Sequence, residues 1–79
     1  MTIEILSPDK KVYTGEIDLL QVPGSKSPFT VLNMHAPLIS SLEKGKLRLV
    51  EAKTKKEIFF EINGGVIEVI NNKILILST

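Results

Sequence analysis

His35 is the only histidine among the 79 residues, and it stands between Met34 and Ala36-Pro37 with no acid, thiol or hydroxyl side chain adjacent. An imidazole can serve as a general base or a metal ligand, but either role needs a second group close by. There is no cysteine, so carboxylates would have to converge on His35 from distant segments. The pattern instead favours a corner histidine whose ring hydrogen-bonds a backbone carbonyl, with a partner contact as the second role. Gly24-Ser25-Lys26-Ser27 superficially imitates a phosphate loop. A Walker A loop, however, needs glycine directly before the lysine and a helix after it. Here Ser25 precedes Lys26, and Pro28-Phe29 opens an extended segment. The nine acids are dispersed, and the nearest pair, Glu16 and Asp18, is expected to share a solvent face. No catalytic site, cofactor site or metal site is expected.

The elements that hold these residues follow from a period of two. Ile3 and Ile5 oppose Glu4; Ile17 and Leu19 alternate with Glu16 and Asp18; Leu47 and Leu49 alternate with Lys46 and Arg48; Ile58, Phe60 and Ile62 alternate with Glu57 and Glu61. Helical spacing is sustained nowhere, and turn signals recur at short intervals. Asn71-Asn72 lies between two apolar runs and fits a two-residue type I′ hairpin turn. Gly64-Gly65 reads as a bulge or sheet corner rather than a ligand cradle. Ile74 to Leu77 is apolar on both faces, as for a doubly covered strand or one whose outer face meets a partner. The fold class expected is all-β: one domain over residues 1–79, a flattened β-sandwich or barrel of about eight to ten short, mostly antiparallel strands.

Ten basic and nine acidic side chains give a formal net charge of +1, and Lys53, Lys55 and Lys56 sit beside Glu51 and Glu57. A one-sided basic tract is missing, which weakens the case for nucleic acid. A small single-strand-binding β-barrel stays the alternative, using the Lys53–Lys56 tip and the aromatics Tyr13, Phe29, Phe59 and Phe60. Phe59 is expected to point outward between two glutamates, a poor setting for phosphate. The stretch Met1 to Pro8 alternates like a strand and lacks the basic and apolar regions of a signal peptide. The run Ile74–Leu77 is far shorter than the ~20 residues that span a bilayer. Any membrane association is therefore expected to go through another protein.

The order of corners and strands carries a resemblance over the whole chain. Val22-Pro23-Gly24, Phe29-Thr30-Val31-Leu32, His35-Ala36-Pro37-Leu38, Gly45-Lys46-Leu47-Arg48 and Gly64-Gly65-Val66-Ile67-Glu68-Val69 together resemble the ε subunit of F-type ATP synthases, called δ in mitochondria. The departures are Ser27 and Thr30, where glycine is common and would allow a positive φ, and Asn33, where proline is common. The resemblance implies a non-catalytic rotor subunit of the central stalk that links the γ subunit to the membrane c-ring and couples proton or sodium flow to ATP synthesis. It implies γ contacts at His35 and Ser40, and c-ring contacts at Lys26, Ser27, Pro28 and Phe29. Many such subunits carry an acid where Pro28 stands, so Lys26 or backbone groups would substitute here. It also implies a peripheral position on the cytoplasmic face of a bacterial inner membrane. Resembling proteins continue into a helical hairpin that restrains ATP hydrolysis; this sequence ends at Ser78-Thr79, and that function is not expected of these residues.

Overall fold

A computed structural model describes residues 1–79. Eight strands form: β1 (Thr2–Ser7), β2 (Lys10–Val22), β3 (Phe29–Leu32), β4 (Leu38–Leu42), β5 (Gly45–Glu51), β6 (Glu57–Ile62), β7 (Gly65–Ile70) and β8 (Lys73–Ser78). They lie in the order β4-β7-β8-β1-β2-β5-β6, with β3 also on β2. Only the β1–β8 pair is parallel. The all-β, mostly antiparallel expectation is met at eight strands.

Two layers arise because β2 is shared between them. Its first half pairs with β1, and its second half, from Ile17 onward, pairs with β3 and β5. The change of layer coincides with a bulge. Ile17 faces Glu51 and Leu19 faces Val50, so Asp18 is an extra residue on β2. An extra residue reverses the in-out alternation beyond it and sharpens the local twist. Ile17, Leu20 and Val22 are consequently buried while Leu19 is only half-buried. This corrects the expectation that Ile17 and Leu19 face inward together.

The opposite corner is closed by backbone bonds. Gly24 bridges to Leu42, the Ser25 amide donates to the Ser41 carbonyl at 3.1 Å, and the Glu43 amide donates to the Pro23 carbonyl at 2.7 Å. The segment after β2 thereby hooks onto the end of β4. Between the layers lies one apolar cluster, including Ile3, Ile5, Leu20, Leu47, Leu49, Ile67 and Ile76, and no polar residue is buried in it.

The turns follow local chemistry. Asn71 and Asn72 take φ of 49° and 62°, as the I′ turn requires. Ser27 and Thr30 are not among the residues with positive φ, so the loop forms without the glycines common there. At the β3–β4 turn the His35 amide donates to the Leu32 carbonyl at 3.2 Å, with Met34 at φ 63°. Asn33 does what proline cannot: its Oδ1 accepts from the Met1 amino group at 2.8 Å. Gly64 and Gly65 form the corner into β7, both at positive φ.

Candidate functional site

Strand β4 is an edge strand, and the residues singled out from sequence gather at its two ends. At the start, His35 is half-buried and its Nδ1 lies 2.7 Å from the Ala36 carbonyl. A carbonyl only accepts, so Nδ1 carries the proton in this contact. The Met34 amide donates to Asn72 Oδ1 at 2.8 Å, tying this corner to the β7–β8 turn. The corner histidine expected from sequence is the geometry found.

At the other end of β4, the Ser41 hydroxyl donates to Ser25 Oγ at 2.8 Å and holds the Lys26–Phe29 loop in place. Lys26, Ser27 and Pro28 are exposed, whereas Phe29 is half-buried against the core. Gly24 makes room for that ring, because a Cβ there would come within 2.8 Å of it and 2.5 Å of the Ser27 carbonyl oxygen. Phe29 thus anchors the loop that offers the other three. The two ends are separated by the length of a five-residue strand, roughly 15 Å at about 3.3 Å per residue.

Between them β4 turns Ile39 and Ser41 outward. Ser40 is half-buried, registers against buried Ile67, and donates its hydroxyl to the Ser41 carbonyl at 3.1 Å. Ile39 is 74% exposed. It opens an apolar outer face that continues through Val66 and Ile70 of β7 and Leu75 and Leu77 of β8. Ile39, Val66 and Ile70 were not among the sequence-derived site residues. Alternation about Glu68 was the available signal, since it sends Val66 and Ile70 to the face opposite buried Ile67 and Val69.

The outer face of the other layer has a different character. Arg48 pairs with Glu57 at 2.7 Å and donates from Nε to Gln21 Oε1 at 2.9 Å. Lys46 registers against Glu61, and Lys55 pairs with Asp18. Phe59 points outward between Glu57 and Glu61, as expected. These pairings make the face mixed in charge. Glu16 and Asp18 do not act together either: Glu16 faces the Met1 amino group at 3.7 Å, and Asp18 faces Lys55. No three His, Cys, Asp or Glu side chains come together as a metal site would need.

The Lys53–Lys56 tip is clipped to the body. Tyr13 donates to Glu51 Oε2 at 2.8 Å and Thr54 donates to Glu51 Oε1 at 2.7 Å. Partial burial, then the bond and charge of Glu51, push the Tyr13 phenol up to about 12. The Thr54 hydroxyl and then Tyr13 hold the Glu51 carboxyl below its ordinary range. A raised phenol pKa contributes stability in full below about pH 10, lost as pH climbs from there through about 12. Glu51 contributes above the ordinary carboxylate range and less as acid protonates it. Tyr13→Phe is expected to lose about 1 kcal/mol at neutral pH. Its urea midpoint should fall less steeply than that of the unaltered chain above pH 10, where Tyr13 ionises in the unfolded chain but keeps its proton in the fold; parallel alkaline profiles would refute the assignment.

Comparison with known proteins agrees with this architecture. The family described as ATP synthase, Delta/Epsilon chain, beta-sandwich domain matches residues 1–79. The chain is similar to the ATP synthase epsilon chain of Chlorobaculum tepidum, at 40% identity over 77 residues, 98% of this chain and 86% of that one. It is similar to the ATP synthase epsilon chain of Leptospira borgpetersenii serovar Hardjo-bovis, at 40% identity over 78 residues, but spans only 60% of that relative. Its fold matches a chain of the Euglena gracilis mitochondrial ATP synthase OSCP/F1/c-ring structure at TM-score 0.85 and 18% identity, covering 96% of this chain and 48% of that one. A chain from the central stalk/c-ring of the Tetrahymena thermophila mitochondrial ATP synthase matches at TM-score 0.79 and 18% identity, covering 99% and 62%. A family match over every residue, relatives at this identity and a shared two-layer fold lead to one conclusion: the chain belongs to the family of ATP synthase delta/epsilon β-sandwich domains.

Proposed function

We propose that this domain serves as a non-catalytic central-stalk subunit of a proton- or sodium-translocating F-type ATP synthase, holding the γ subunit against the c-ring so that ring rotation drives ATP synthesis. The observation that supports the reading is that the His35 corner and the exposed Lys26–Pro28 loop lie at opposite ends of β4. The His35 end, continuous with Ile39 and the apolar outer face, suits γ; the exposed Lys26–Pro28 loop, anchored by Phe29, suits the polar loops of a c-ring. Ser40 supports the γ side from within the edge strand.

A joint that transmits torque must not yield between its contacts. A close-packed apolar interior resists compression, and the bonds from Pro23 and Ser25 to β4 tie the two layers at the strand linking the two regions. Nothing in this role requires bond chemistry or a cofactor. In this role the domain lies at the cytoplasmic face of a bacterial inner membrane, held there by its protein partners.

The test is co-elution of the domain with purified γ, alone and with the c-ring, at moderate salt. A stoichiometric complex with γ that also retains the ring is expected. Failure to bind γ at any salt concentration would overturn the reading. Salt-sensitive binding of single-stranded nucleic acid would then replace it.

A further inference from the structure

The apolar outer face of the first layer has a charge at its centre. Glu68 registers against Ile39 on one side and Leu75 on the other, and Val66 and Ile70 flank it along β7. Glu68 thus has four apolar nearest neighbours on this face and is half-buried as a residue. No ion pair within the chain includes it. Glu4, one strand beyond Leu75, is by contrast matched by Lys11 at 3.3 Å. The cation nearest to Glu68 by register is its diagonal neighbour Lys73, which is exposed and unpaired.

Covering such a ring of neighbours removes water from its centre. A carboxylate left there without a partner is costly enough to prevent docking, whereas one met by a cationic donor fixes both register and identity. Resting on the reading that γ covers this face, we infer that Glu68 is the specificity-determining residue of the contact. The γ segment that docks here presents one arginine or lysine encircled by apolar side chains. The ring excludes water, and the central pair selects the partner.

The test measures the affinity of the folded domain for purified γ with Glu68 unaltered, Glu68→Gln, Glu68→Leu and Glu68→Lys, with thermal melts confirming that each variant folds. Glu68→Gln and Glu68→Leu are expected to weaken binding by about 30-fold or more, mainly through faster dissociation. Glu68→Lys should abolish it. Glu68→Leu is the decisive variant, because it completes an apolar patch and would tighten a purely hydrophobic contact. Binding by Glu68→Leu at or above the unaltered affinity overturns this inference while leaving the γ assignment standing. Absence of binding by the unaltered domain overturns the γ assignment, and this inference with it.

Discussion

Gly65→Ala is expected to remove about 4 kcal/mol or more of the domain's folding stability. A Cβ at this position would lie 2.2 Å from the Leu77 carbonyl oxygen and 3.1 Å from the Leu77 carbonyl carbon and Ser78 Cα. All three atoms are backbone of the neighbouring strand, so no side chain can swing away to make room. Relief requires β7 to part from β8 where Gly65 registers against Ser78. The backbone at φ +150° adds strain of its own for any side chain. Strain, clash and lost ladder bonds together cost on the order of 4 kcal/mol or more. A chain of this length has roughly 4 to 12 kcal/mol in total. Gly15→Ala is the natural contrast, since its Cβ would meet only the Tyr13 ring, 2.9 Å from the hydroxyl. That side chain can shift at the expense of one hydrogen bond, about 1 kcal/mol. Urea unfolding followed by circular dichroism separates the two; a Gly65→Ala midpoint no lower than that of Gly15→Ala would mean that the β7–β8 corner yields without cost.

Leu20→Ala should destabilise by about 3 to 4 kcal/mol, while Leu19→Ala, one residue earlier, should cost about 1 kcal/mol or less. The contrast isolates the bulge. Leu20 is fully buried between the layers, and its replacement leaves a cavity that close-packed neighbours can only partly fill. Leu19 lies half-exposed on the outer face, in register with Leu32 and Val50. Without the extra residue at Asp18 the regular alternation from Ile17 would bury Leu19 and expose Leu20, and the two costs would exchange. Urea midpoints at unchanged denaturant slope read the difference directly.

What was legible in the sequence was what each segment encodes locally. The outward Phe59, the inward Ile62 and the Asn71-Asn72 turn all follow from period two and from the tolerance of asparagine for positive φ. The Asp18 bulge was hidden because it breaks parity without changing composition: Leu19 and Leu20 are equally apolar, and only pairing with β5 decides between them. The candidate site was legible in part. His35 stood out by residue type and the Lys26–Phe29 loop by the family resemblance, but their placement at opposite ends of β4 depends on the Pro23–Ser25 hook, a contact with no local signature. Ile39 was overlooked beside Ser40 because a five-residue strand following Pro37 has too few alternations to fix its own parity. Tyr13 and Glu51 meet across 38 positions, which no short window reveals.

The parallel pairing of β1 with β8 has a consequence for how the protein comes into being. Thr2 aligns with Lys73 and Ile5 with Ile76, and β8 occupies the interior of its layer, between β7 and β1. Of the eight strands, a ribosome delivers that central one after all the others. Until it emerges, the inward faces of Ile3 and Ile5 lack their neighbours, and β1, β2, β3, β5 and β6 can pair only as an open sheet whose apolar face is uncovered. Assembly is therefore governed by distant contacts and runs slowly for a domain of this size. Apolar surface on the nascent chain stays open to chaperones or to aggregation until β8 has joined its layer.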